Sequence, residues 1–231
     1  MQMIGFKLGA VASLTVLLAV APAVGQSNGT PEPEARPKTE GPAPDGAEKS
    51  PEADADKPVL GGALPPAKDK DAVKAHMDEL FRRLSEPEAR DWQRVQAQII
   101  LVWNRSGSDS MDLLAQRADK ALEKKDFDTA LLHLNDLVRL APDFAEGWNK
   151  RATVYFLKED YGPSLEDIAR VLTLEPRHFG ALSGLGIILD RIGDPKGALE
   201  AYRRAIAIHP HLPGIKDGIE KLEKQVEGER L

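Results

Sequence analysis

Five histidines, His76, His133, His178, His209 and His211, are the first candidates for chemistry in this chain, and only His209-Pro210-His211 brings two of them together. A metal centre there would need further ligands from elsewhere, and no Asp or Glu stands at a supporting helical spacing on the same face. The simpler expectation is a solvated turn in which the imidazoles meet helix-end carbonyls. With no cysteine in the chain, thiol catalysis, Cys-ligated zinc, disulfides and a lipidated N-terminal cysteine are excluded together. Neither a G-x-S-x-G elbow, an H-E-x-x-H helix, a phosphate-cradling glycine loop nor a calcium loop occurs. Gly184-Leu185-Gly186 mimics the start of a nucleotide fingerprint but has no strand before it, and Asp126-Phe127-Asp128 lacks the downstream ligands of a calcium site. The expectation is therefore a protein that is not an enzyme and carries no cofactor and no metal.

Charge removes another class. The net charge is -6 and Lys and Arg never cluster beyond a pair, whereas nucleic-acid binding needs a basic stripe that releases counterions. Residues 1–25 have a weakly basic start ending at Lys7, an apolar run over 8–20, and Ala23-Val24-Gly25 before Gln26. That is the layout of a secretory signal peptide cut before Gln26, leaving no membrane span; an uncleaved anchor is the alternative. Residues 26–70 hold nine prolines and no aromatic residue, so they cannot bury enough apolar area to offset their conformational entropy and read as a disordered linker.

The elements begin at Asp71. Val73, Met77, Leu80, Phe81 and Leu84 recur at helical spacing, as do Trp92, Val95, Ile99, Val102 and Trp103. With Ser85 and Glu88 placed as a capping box, residues 71–107 are expected to form an antiparallel hairpin. From Met111 onward the chain repeats itself every 34 residues: Pro142, Pro176 and Pro210; Asp126, Asp160 and Asp194; Leu131, Leu165 and Leu199; Ala118, Ala152 and Gly186; Ala130, Ser164 and Ala198. Each period reads as two helices, the Asp capping the second and the Pro setting the turn to the next unit. Small residues allow the two helices to approach, Pro195 fits a first helical turn, and Leu140, Leu174 and Ile208 are expected to close the back of each unit. Ile215, Ile219, Leu222 and Val226 mark one more amphipathic helix.

These residues resemble the tetratricopeptide repeat (TPR) family. The middle unit carries Trp148, Ala152, Tyr155, Tyr161 and Pro176; the third carries Leu182, Gly186, Ala198, Tyr202, Ala205 and Pro210; the first carries Leu114, Ala118, Phe127, Ala130 and Pro142, with Ala121 and Leu137 departing from the pattern. The resemblance implies an all-α fold, a short α-solenoid of TPR hairpins at about 111–144, 145–178 and 179–212 within residues 108–228. The segment 213–228 would be its capping helix. The 71–107 hairpin would be a degenerate repeat or N-terminal cap, although Gln96 stands where a small residue is usual. It also implies that the first helix of each unit lines a concave groove. Carried over, the groove residues are Asp119, Glu123, Glu146, Asn149, Thr153, Phe156, Leu157 and Ile187, with Phe156 and Ile187 open to a core reading. The carboxylate-clamp positions are Ala115, Asp119, Lys150, Gly180 and Gly184, which disfavours capture of an acidic C-terminal tail. The expected partner is a protein or peptide with an apolar anchor and a basic flank. Taken together, the chain resembles a small exported TPR protein of Gram-negative bacterial type, periplasmic or secreted, that acts as an interaction adaptor or scaffold. The alternatives are a self-assembling structural protein, in which an outward Trp92 or Trp103 makes a homo-oligomer contact, and an accessory subunit of an envelope enzyme or secretion system.

Overall fold

A computed structural model describes residues 64–228; the expected signal peptide and most of the expected linker lie outside the described residues. All described residues belong to one compact unit. Among the described residues there are nine helices: α1 Lys70–Leu84, α2 Trp92–Trp103, α3 Asp109–Glu123, α4 Phe127–Leu140, α5 Ala145–Leu157, α6 Tyr161–Leu174, α7 Phe179–Arg191, α8 Pro195–Ile208 and α9 Ile215–Gly228. The fold is an all-α helical repeat.

Three helix pairs, α3/α4, α5/α6 and α7/α8, pack as hairpins in series, and α9 packs on α8. Their turns are superimposable in chemistry. The amide N–H of Asp126, Asp160 and Asp194 donates to the carbonyl of Ala121, Tyr155 and Leu189 at 2.9, 2.9 and 2.8 Å, the long-range bond that closes a helix whose last residue turns left-handed. The left-handed residues are Lys125 (φ 58°), Glu159 (φ 62°) and Gly193 (φ 85°), again 34 apart. Asp126 and Asp194 then cap the next helix through Thr129 N and Gly197 N, whereas Asp160 makes no side-chain cap bond. Pro195 occupies the first turn of α8, where its missing N–H costs nothing.

Between paired helices the small residues set the distance. Ser164 Oγ donates to the Ala152 carbonyl at 2.8 Å inside the α5/α6 contact, and a Cβ on Gly186 would overlap the Tyr202 ring. Arg151 joins α5 to α6 through a two-pronged bond to the buried Asp167, at 2.8 and 2.7 Å, with its guanidinium over Trp148. One expectation fails here: Leu140 does not close the back of the first unit but is 52% exposed, because Leu134, Leu137 and Val138 carry the buried face of α4.

The N-terminal hairpin differs from expectation in two ways. The capping box does not form: Ser85 Oγ donates back to the Arg82 carbonyl, and α2 starts only at Trp92, after a turn in which Arg83 ion-pairs with Asp91. Nor do α1 and α2 pack on α3 and α4 as a further repeat or cap. Their side chains reach the turn before α7 and the turn after α8. Asp78 accepts from Arg177 at 2.7 Å, Arg177 lies over Phe81, Trp103 stacks on His178 with ring centroids 4.1 Å apart, and Trp92 stacks on His211 at 5.2 Å. Gln96, too large for a repeat seam, instead accepts from His209 Nε2 at 2.6 Å. Both tryptophans are therefore engaged within the chain, not turned outward.

Two substitutions test this packing. Gly186→Ala should destabilise by about 1–3 kcal/mol through overlap with Tyr202, outweighing its gain in helix propensity. Glu159→Gly should stabilise by roughly 1 kcal/mol by relieving a left-handed backbone. Urea titration followed by circular dichroism reads both; a stabilised Gly186→Ala would show that α7 and α8 are not in close contact there.

Candidate protein-interaction groove

The first helices of the second and third units, α5 and α7, stand side by side and open a small recess between them. Its walls are Asn149, Thr153, Phe156 and Leu157 from α5 and Gly180, Gly184 and Ile187 from α7, over a floor of Ala152, Ser164, Ile168, Ala181 and Ile188. The α5 residues recur at helical spacing and so share one face. On α7 the facing positions i and i+4 are glycines, and the space their missing side chains leave is the recess. A Cβ on Gly184 would meet only the Ile168 Cδ1 at 3.8 Å. The free volume is about 30 Å³, enough for the tip of one small apolar side chain.

Five of the eight expected groove residues, Asn149, Thr153, Phe156, Leu157 and Ile187, thus come together in one place. Phe156 has two faces. It is 9% exposed and belongs to the buried cluster of Ala152, Ile168, Val171, Ala181 and Ile188, yet its ring also borders the recess. Arg191 lies over that ring at 4.9 Å and donates to the Tyr161 hydroxyl at 2.9 Å. Ile187 is half-buried against the same cluster.

The acidic residues lie elsewhere. Lys150 Nζ donates to Asp119 at 3.0 Å and approaches Glu146 at 4.0 Å. Glu146 also accepts from Asn149 and from His178 Nε2 at 3.2 Å. Burial alone would push the Glu146 carboxyl up, but the His178 hydrogen bond, the Lys150 charge and the Asn149 amide together hold it below the usual carboxylate range. Two of the three expected acidic groove residues are therefore already engaged by Lys150 and His178, and Glu123 stands exposed near the end of α3.

Lys150 and His178 were not among the sequence-derived groove residues. The signal for Lys150 was its spacing four after Glu146; His178 could have been found as the residue just before the first position of α7, where it caps the helix by accepting from Ala181 N at 3.0 Å. Nor are the histidines in solvated turns as expected: His178 and His209 are 3% and 0% exposed, sealed by the tryptophans of the N-terminal hairpin. Among the described residues no cluster of His, Asp and Glu has a geometry that could hold a metal ion, and no helix is long and apolar enough to cross a membrane.

The Tetratricopeptide repeat family model matches residues 158–213. A TPR repeat-containing protein of Rhizobium etli is 40% identical over 158 residues, covering 68% of this chain and 78% of that protein. Small glutamine-rich tetratricopeptide repeat-containing protein 2 of Saccharomyces cerevisiae is 26% identical over 116 residues, 49% of this chain and 34% of that protein. The solved structure of the Sgt2 TPR domain from Aspergillus fumigatus shares the fold with a TM-score of 0.50 and 23% identity, over 53% of this chain and 83% of that one. With the 34-residue period, the repeated turns and a relative aligned over most of its length, the chain belongs to the tetratricopeptide repeat family, whose members mediate protein–protein interactions.

Proposed function

We propose that this chain is a non-enzymatic adaptor of the bacterial periplasm that holds a segment of a partner protein in the α5–α7 groove. The observation that carries this reading is the recess itself: an apolar slot between the first helices of two units, made by Gly180 and Gly184. Thr153 and Asn149 at its rim supply polar groups that would fix the direction of a bound backbone. The bound segment presents one small apolar side chain to the slot, with a basic residue beside the exposed Glu123. Lys150 stands at a clamp position but is bonded to Asp119, in keeping with a ligand other than an acidic tail. The layout of residues 1–25 supports export, and recovery of a mature chain starting at Gln26 from the periplasm tests that part.

A second reading has its own observation. Because the hairpin docks elsewhere, the first unit keeps exposed leucines, Leu113 on α3 and Leu132 and Leu140 on α4, at 47%, 62% and 52%. Self-association through this unit would cover them; a monomer in sedimentation at high concentration removes it.

Gly184→Leu separates binding from folding. The new side chain fills the slot and improves helix propensity, so stability should hold or rise by up to about 1 kcal/mol. A photo-crosslinker placed at Thr153 should capture a partner from envelope extract, one placed at Arg139 on α4 should not, and the Thr153 product should vanish in the Gly184→Leu background. Equal capture in both backgrounds would overturn the groove reading. Phe156→Ala, in contrast, should lower stability by about 3 kcal/mol, since the ring is mostly core; an unchanged melting temperature would mean the ring is a surface group.

A further inference from the structure

The contact between the N-terminal hairpin and the repeats is built around His209, whose hydrogen bonds leave no place for a second proton. We infer that the α1–α2 hairpin is a latch, docked on the start of α7 and the end of α8 through a tryptophan–histidine seam, which acid releases while the repeats stay folded. This property is independent of the groove reading and needs no partner.

The geometry sets the protonation state of His209. His209 Nε2 faces the Gln96 side-chain oxygen at 2.6 Å, so Nε2 carries the hydrogen. Its other nitrogen, Nδ1, accepts from the His211 backbone N–H at 3.4 Å. Protonating Nδ1 would set two donors against each other. His178 lies in the same seam, with Nε2 facing Glu146 at 3.2 Å and Nδ1 accepting from Ala181 N at 3.0 Å. Each ring is also stacked or edged against the hairpin's tryptophans, His178 on Trp103 and His209 against Trp92 at 5.5 Å, with Phe179 at 5.0 Å closing the seam.

The groups facing His209 offer a proton no counter-charge. From the turn before α9 comes His211, with ring centroids 6.1 Å apart; from α2 come Trp92 and the neutral Gln96; from α7 comes Phe179. The nearby charges are spent on one another: Asp78 with Arg177, and Glu146 with Lys150. Arg94 on α2 is likewise engaged, and Glu86 meets His211 only through its backbone carbonyl. Burial, aided by His211, accordingly pushes the His209 imidazole down to about 4.

The direction follows. Undocking exposes His209 to water, where it takes up a proton near its ordinary value of about 6.5; docked, it does so only near 4. Docking is thus at full strength above pH 6.5 and weakens as pH falls from 6.5 towards 4, by about 30-fold at pH 5. The hairpin also carries unmet polar groups: among the described residues, the buried side-chain atoms with no protein hydrogen-bond partner are His76 Nε2, Gln98 Oε1 and Trp103 Nε1, all on α1 and α2, and each costs stability. Elements of this kind open below the global unfolding free energy.

Amide hydrogen exchange of the full chain at pH 7.5 and pH 5.0, corrected for intrinsic rates, tests the latch. Protection of α1 and α2 should fall about 30-fold at pH 5.0, protection of α5 and α6 should change less than threefold, and His209→Gln, which cannot charge, should cut the hairpin's fall below threefold. The wild-type profile alone decides if that variant does not fold. Unchanged hairpin protection, an equal fall across α5 and α6, or a full 30-fold fall in His209→Gln would each overturn the proposal.

Discussion

Every unit of this solenoid depends on one backbone hydrogen bond, from the amide of Asp126, Asp160 or Asp194 back across five residues to the preceding helix. It forces the chain through a left-handed residue and sends the second helix back along the first. Only with that reversal do Ala118, Ala152 and Gly186 come to lie where a second helix passes closely. Stacking then does what no single hairpin can, burying both sides of each pair except at the ends. The strain of the reversal differs by unit: Gly193 takes it freely, while Lys125 and Glu159 take it with a side chain attached. The third unit therefore has the most relaxed turn, and in its helix pair Gly186 lets the Tyr202 ring come close.

Much of this was legible in the residues because it is local and repeated. A 34-residue period in Pro, Asp and small residues specifies helix ends and close approaches whatever the rest of the chain does. The recess was half legible. Asn149, Thr153, Phe156, Leu157 and Ile187 follow from position within the repeat, but the floor of Ser164 and Ile168 comes from the second helix, the fate of Asp119 was set by Lys150 across a unit boundary, and Glu146 meets Lys150 and His178 from the two ends of its own unit. Helix periodicity says which face a residue occupies and nothing about which distant cation meets it.

The N-terminal hairpin was legible as two helices and illegible as to its docking. Its contacts span about a hundred residues of sequence, Asp78 to Arg177 and Gln96 to His209 among them, and no period links the two ends. In retrospect Trp92 and Trp103 carried a signal: flat rings on a hairpin that lacks the repeat's small residues need flat partners, and the histidines beside Pro176 and Pro210 provide them. The same pairing explains why those imidazoles are buried although turns after repeat prolines ordinarily face water. The seam leaves the first unit's leucines bare at one end of the solenoid while it covers Phe179 near the other.

The recess between α5 and α7 is made by subtraction: two glycines on a helix leave a slot that no other residue props open. Neither is held by a special backbone angle or by a tight contact, in contrast to Gly186 and Gly193. Side chains can thus be added at Gly180 or Gly184 one atom at a time without disturbing the scaffold. Among descendants of this sequence, ligand preference is free to drift quickly while the framework changes slowly, because the two traits are encoded at different glycines.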